Sequence, residues 1–392
     1  RYLDETQKNA LSHINGMRLL NRSSYMVLDA TTRRNLELTQ PLRYGANKKN
    51  TLIHLLDQAK TGMGGRMLRD WVDRPLQSIE EIERRLEAVG ELKDNLAQRK
   101  QLQEFLHGMY DIERLCSKIV YGSVNARDCV ALIQTLERIP LIKDTLRTNQ
   151  SNALSDISRD LDEMEDVLSL LLRSIVDEPP ANLKEGGFIR TGYNAEVDEL
   201  RSIAENSQAW LEQFEANERE NTKIKSLRVS YNRVFGYYIE VTKSYLAQVP
   251  YEYERKQTLA NAERYVTPEL KEMEQKILGA KDRLIALEAE LFAGIRETLL
   301  QCTGRLQLNG VLIAELDAYV SLSEVASNNG YSRPKLNQQG RIKIINGRHP
   351  VIERAMKEPF VPNDVLLNRS EDRLLIITGP NMAGKSTYMR QT

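Results

Sequence analysis

Two long stretches with an apolar residue every three or four positions bracket a shorter stretch whose apolar residues come every second position. The first runs from about Asn194 to Asn221 and puts Val197, Leu200, Ala204, Leu211 and Phe214 on one stripe. The second opens at Thr267-Pro268-Glu269 and carries Leu270, Met273, Ile277, Ala280, Leu284, Leu287 and Leu291. A threonine N-cap, a proline at the first helical position and an acid beside it are helix-start signals. At 1.5 Å per residue, a helix from Thr267 to Leu300 is roughly 50 Å long. Narrow apolar stripes flanked by charge predict that the two helices pair as an antiparallel arm. Between them, Leu227, Val229 and Tyr231 alternate with Arg228 and Ser230, and Tyr237, Ile239 and Val241 alternate with Tyr238, Glu240 and Thr242. This period, rich in β-branched and aromatic residues, predicts a hairpin with Asn232-Arg233 in its turn. The pattern is that of a helical arm with a small sheet inserted at its tip.

The rest of the 392 residues must form further domains, because one core does not grow that large. From Met26 to about Pro180 the pattern is helical, over Thr51–Leu56, Gly65–Trp71, Ile79–Asn95, Ala126–Ile139 and Ile157–Ile175, and a loop at Asp177–Ala181 closes the block. Val311–Ala326 predicts one more helix. From Arg341 the chain turns strand-like, at Ile342–Ile345, Gly347–Pro350 and Phe360–Asp364. The expected fold is therefore multidomain and mainly α, with the beginning of an α/β nucleotide-binding domain after about residue 333.

That last domain carries the most specific motif. Gly379-Pro380-Asn381-Met382-Ala383-Gly384-Lys385-Ser386-Thr387 matches G-x-x-x-x-G-K-[ST] in full, and it follows an apolar run, Leu374–Ile377, that reads as a buried parallel strand. Glycines let backbone N–H groups turn toward phosphate oxygens. Lys385 can reach the β- and γ-phosphates, and Ser386 offers a hydroxyl to Mg²⁺. ATP and Mg²⁺ are the expected ligands. Only five residues follow Thr387. An acidic Mg²⁺-binding strand and a water-positioning group would have to lie beyond them, so the chain reads as a fragment with no catalytic residue of its own.

Acidic and basic residues balance over the whole chain, so any nucleic-acid surface must be local. One segment qualifies. Residues 222–264 hold eight bases (Lys223, Lys225, Arg228, Arg233, Lys243, Arg255, Lys256 and Arg264) against four acids, and no acid occurs from Asn221 to Ile239. Asn232, Gln257, Thr258 and Asn261 add neutral donors. Such a surface suits the phosphate backbone of double-stranded DNA, where affinity comes from released counterions. Tyr231, Tyr237 and Tyr238 are expected to pack the hairpin and not to stack on bases.

The remaining candidates read as structural. Cys116, Cys129 and Cys302 are too far apart for a metal site and fit buried thiols of a reducing compartment, hence a cytoplasmic, nucleoid-associated location. No run is apolar enough to span a bilayer, so no membrane partner is expected. His349 reads as a structural histidine at a strand end. Phe360 is open to two readings, core packing or stacking on a nucleotide base.

Gly379–Gln391, together with Gly347-Arg-His-Pro350, Val234–Ile239, Arg255–Arg264 and Asp29–Leu36, resembles the MutS family of DNA mismatch repair ATPases over nearly the whole chain. The resemblance implies a connector tail at residues 1–25, a core and lever at 26–207 and 268–332, a DNA-gripping clamp at 208–267 and an ABC-type ATPase domain beginning at 333. It places Asn261 at a phosphate-touching clamp position and Phe360 against adenine. It also implies a homodimer, a MutL-type partner and ATP-dependent conversion to a sliding clamp on mismatched DNA. The family's mismatch wedge, Phe-x-Glu, does not occur in this sequence. A structural DNA clamp without mismatch recognition, as in recombination paralogues, is the alternative.

Overall fold

The computed structural model describes residues 24–42, 50–232, 236–380 and 383–392. Arg233, Asn381, Met382, the side chain of Ala204 and nearly all of the expected connector tail lie outside the described residues. The helices are, in chain order, α1 (Ala30–Asn35), α2 (Leu52–Leu56), α3 (Gly62–Asp73), α4 (Ile79–Asp94), α5 (Leu96–His107), α6 (Ile112–Val120), α7 (Ala126–Leu136), α8 (Ile139–Leu146), α9 (Asn152–Asp160), α10 (Glu165–Ser174), α11 (Ala195–Thr222), α12 (Pro268–Gln301), α13 (Thr303–Asn329), α14 (Pro350–Ala355) and α15 (Lys385–Gln391). The strands are β1 (Arg228–Asn232), β2 (Gly236–Thr242), β3 (Glu254–Thr258), β4 (Ala262–Val266), β5 (Ile342–Gly347) and β6 (Asn363–Leu367). They form two compact units. One holds the chain up to Ser123 with Ala131–Glu165 and Gln301–Thr392. The other holds Val124–Val130 and Asp166–Leu300.

The first unit is built around α13. From Ile313 to Val320 all but Glu315 are buried, so this middle stretch of the helix has almost no solvent face, and α13 forms the centre against which α2, α3, α4, α5, α6 and α9 pack. Its buried polar groups are satisfied. Asp317 accepts from the Lys60 amide at 3.0 Å, the Thr61 amide at 2.8 Å and the Thr61 hydroxyl at 2.7 Å, while that hydroxyl caps α3 by accepting from the Gly64 amide at 3.0 Å. Burial raises the Asp317 carboxyl above its ordinary pKa, and these donors oppose the rise. Arg99 is 2% exposed and meets Glu324 at 2.9 Å. Burial alone would raise Glu324, but hydrogen bonds from Lys100, Arg99 and Asn328 hold it at about 2.

The helix expected over Ile157–Ile175 is two helices, α9 and α10. The Asp162 side chain accepts the Met164 amide at 2.9 Å and is held by Arg305 at 2.6 Å, and Met164 takes φ +52. A short polar side chain has here captured backbone donors that a continuous helix would use. Three further helices, α5, α6 and α8, occupy stretches not anticipated as elements.

In the second unit α11 runs into a four-stranded antiparallel sheet of order β1-β2-β4-β3, and α12 leaves it. Both expected helix starts are present: Asn194 caps α11 through the Val197 amide at 3.1 Å, and Thr267 caps α12 through the Leu270 amide at 3.2 Å. The expected hairpin has the register Val229↔Ile239 and Tyr231↔Tyr237. One buried cluster of Phe214, Ile224, Leu227, Ile239, Val241, Tyr265 and Leu270 joins the sheet to both helix ends. Farther along α12, Phe292 meets Phe188 with ring centroids 5.5 Å apart, and Glu288 accepts from the Gly187 amide at 2.6 Å. The stripe of α12 is thus shared with the 186–189 segment. Arg201–Glu288 and Arg283–Glu196 pairs bridge the two helices at 3.1 and 3.0 Å.

Strands β5 and β6 pair antiparallel. The buried parallel strand expected at Leu374–Ile377 is not formed. No ladder joins this run to another strand among the described residues, and its four side chains are 39–83% exposed. A strand exists only through its neighbours, and β5 and β6 pair with each other.

Candidate nucleic-acid interface and nucleotide loop

Period-2 alternation gives the four-stranded sheet two unlike faces. Val229, Ile239, Val241 and Tyr265 point into the shared cluster, and Arg228, Ser230, Tyr238, Glu240 and Arg264 lie on the other face. On that outer face Arg264 is braced. Its guanidinium donates to Glu240 at 3.1 Å and Gln257 at 2.9 Å and lies 4.2 Å from the centre of the Tyr238 ring. These partners take two of its five N–H donors and one face of its plane, so Arg264 organises the sheet. Tyr238 is buried beneath it, and Tyr231 and Tyr237 pack at 5.0 Å, in line with a packing role for the tyrosines.

The Asn232–Gly236 end of the hairpin is not the free end of the sheet. Gly236 has φ +73, and a side chain there would run into Glu274 of α12; the Tyr237 amide donates to the same carboxylate at 3.2 Å. The Asn232–Gly236 end of β1 and β2 thus lies against α12, and the strands run away from that helix toward their opposite ends. There the Ser226 and Thr242 hydroxyls meet at 2.8 Å, and the Lys243 amide donates to the Asn261 carbonyl at 3.1 Å. Lys225, Arg228, Lys243 and Asn261 are gathered at this end, all exposed. Lys223 closes α11 in a left-handed conformation at φ 58 and is exposed nearby in sequence. Among the described residues, none of Lys223, Lys225, Arg228 and Lys243 forms an ion pair. On the edge strand β3, Lys256 pairs with Glu254 at 2.7 Å and Arg255 with Glu263 at 3.6 Å. Asn232 lies at the α12 end, opposite Gly236. Sequence alone counted Lys243 among the bases of the segment but not among the contact candidates; only its hydrogen bond to Asn261 places it beside them.

Two glycines of the glycine-rich loop take positive φ. Gly379 has φ +152 and Gly384 φ +90, both unfavourable for a side chain. Lys385 donates from its ammonium to the carbonyls of Gly379 and of Pro380, the latter at 3.1 Å, and so lies over the loop. A cleft of about 950 Å³ is lined by Phe360, Ile377, Thr378, Gly384, Lys385 and Thr387. Phe360 is half-buried on its wall. Ser386 is exposed on the first turn of α15, and no group of three His, Cys, Asp or Glu suited to a metal occurs among the described residues. His349 caps α14 by accepting the Ile352 amide at 3.4 Å, and burial followed by Arg390 lowers its pKa. Burial pushes the Cys116 and Cys129 thiols up to about 12, which makes them unreactive.

Comparison with known proteins decides the family. The family model described as MutS domain III matches residues 31–323, a span that takes in the helical block, the sheet and both long helices. The chain belongs to the MutS family. It is 50% identical over 393 residues to the DNA mismatch repair protein MutS of Ruminiclostridium cellulolyticum, covering all of this chain and 45% of that protein. The corresponding values are 50% and 42% for the MutS of Lachnoclostridium phytofermentans, and 47% and 45% for that of Acetivibrio thermocellus. The chain thus spans less than half the length of the curated MutS relatives it matches. The glycine-rich loop lies outside the region matched to domain III. No helix among the described residues is long and apolar enough to cross a membrane.

Proposed function

We propose that this chain is the DNA-gripping and phosphate-loop portion of a DNA mismatch repair ATPase. The observation that carries the reading is the unpaired basic end of the sheet in a MutS-family chain. Lys225, Arg228, Lys243 and Asn261 form a surface for the phosphates of duplex DNA, and Lys223 extends it. It reads no sequence, since side chains that grip phosphate alone position a duplex without discriminating bases. Arg255, Lys256 and Asn232 are secondary contacts, and Arg264 acts through its brace. The loop Gly379–Thr387 takes ATP, with Lys385 on the phosphates and Phe360 against the base. When bound, Mg²⁺ supplies charge neutralisation at those phosphates, with Ser386 as the ligand this segment offers. In the complete protein these parts serve a homodimer that holds mismatched DNA, converts to a sliding clamp with ATP and engages a MutL-type partner.

Lys225→Glu/Lys243→Glu in the intact protein tests the DNA half. Duplex affinity should fall at least tenfold at low salt while nucleotide binding is retained. Unchanged affinity in a folded variant rejects the assignment. Lys385→Ala tests the other half: binding of a fluorescent ATP analogue should be lost, and retained binding removes the lysine from the phosphates.

A further inference from the structure

The helix that follows the glycine-rich loop is tied to a residue 353 positions earlier. Arg390 of α15 meets the Glu37 carboxylate at 3.0 Å, with both side chains only about a quarter exposed. Glu37 is an unusual receiver. It is one of four non-glycine residues among those described with positive φ, at +50, just after α1. Such a conformation persists only where its surroundings over-determine it. Here they do. Glu37 accepts the Leu42 amide on its carboxylate at 2.9 Å, its carbonyl accepts the Leu52 amide at 3.0 Å, and its own amide donates to Arg34 at 3.1 Å. The next carbonyl, of Leu38, accepts the Ile53 amide at 2.9 Å, and Ile53 packs with Leu68 and Ala318 in the core. The chain of contacts therefore runs from α15 through one ion pair into the start of α2 and the centre of the unit. No other side chain of α15 offers an equal anchor: both polar atoms of Gln391 are shielded from solvent without a partner, and Tyr388 donates to the Asp364 carbonyl within the same nucleotide segment.

We propose that Glu37 is a positioning residue for the phosphate loop. Through Arg390 it fixes the seat of α15 on the helical core, and with it the direction from which Lys385 approaches a polyphosphate. The coupling is reciprocal: a nucleotide held by Lys385 steadies the Glu37 turn and the amides that depend on it. This rests on the nucleotide reading of Gly379–Thr387.

The test compares the intact protein with Glu37→Gln, Arg390→Glu and the swapped pair Glu37→Arg/Arg390→Glu. Two readouts are taken, the Kd for a fluorescent ATP analogue and hydrogen exchange at the Leu42, Leu52 and Ile53 amides with and without ATP. Binding should weaken about fivefold to tenfold in each single variant and recover in the swapped pair. ATP should slow exchange at the three amides in the unaltered protein and not in the single variants. Arg84→Ala, which breaks the exposed Arg84–Asp156 pair of the same unit, should change neither readout. Single variants that fold, bind as tightly as the unaltered protein and keep the ATP-dependent protection overturn the proposal while leaving the nucleotide reading intact. An unaltered protein that binds no nucleotide rejects that reading, and the proposal with it.

Discussion

At Gly64 a single hydrogen in place of a methyl decides whether α3 can dock on α13. A Cβ there would run into the Asp317 carboxylate, the same group that accepts from Lys60 and Thr61. Gly64→Ala should therefore destabilise the first unit by about 1–3 kcal/mol, the range of overpacked cores. Gly90, inside α4, has nothing within 4 Å of its would-be Cβ. Gly90→Ala should stabilise by about 0.5–1 kcal/mol, because alanine loses less backbone entropy in a helix. Urea unfolding of both variants checks the opposite signs. Glu324 gives a pH test. Its folded pKa of about 2 lies below the ordinary 4.5, so its contribution is full above pH 4.5 and is lost as pH falls toward 2. Glu324→Gln should cost about 1–2 kcal/mol near neutrality and flatten the loss of stability between pH 4.5 and 2. None of this was legible from the sequence. A glycine, a buried acid and its donors carry no periodic signal, and their partners lie more than 200 residues apart.

Elements were more legible, and unevenly so. The apolar stripe announced α11, and a cap with a stripe announced α12, because Thr267 acts on an amide three residues away; the Asn194 cap of α11 emerged only in the structure. The β1–β2 hairpin followed from alternation. Strand β3 did not, since Glu254-Arg-Lys-Gln-Thr has no apolar alternation to read; it is an edge strand whose side chains face solvent. The break between α9 and α10 depends on Arg305 and Asn309 holding Asp162 from afar. The run Leu374–Ile377 has a strand's composition without a ladder partner. The sheet's attachment to the helices gives a prediction at this scale. Ile239 is fully buried at the centre of the joining cluster, and Ile239→Ala should cost about 3 kcal/mol through lost burial and a cavity. Trp210, stacked on Phe214 of that cluster at 5.0 Å, reports it. The chain has only two tryptophans, so Trp210 fluorescence in a Trp71→Phe background follows this unit, and its transition should move to lower denaturant.

Over the whole molecule, a chain with no net charge carries a local concentration of bases, several of which form no ion pair among the described residues. The sequence located the segment and the structure chose among its residues. Strand direction placed the Asn232–Gly236 end of the hairpin against α12 and the free bases at the opposite sheet end. Arg264 is braced internally, and Lys243 joins Asn261. Phosphate contacts release counterions, so each lost contact lowers the slope of log K against log salt by about 0.9. The most direct measurement is that slope for duplex DNA, in the intact protein and in a Lys225→Ala/Arg228→Ala/Lys243→Ala variant. A slope shallower by about 2–3, with equal losses on matched and mismatched duplexes, is the expected result. A folded variant whose slope equals that of the unaltered protein would contradict the account.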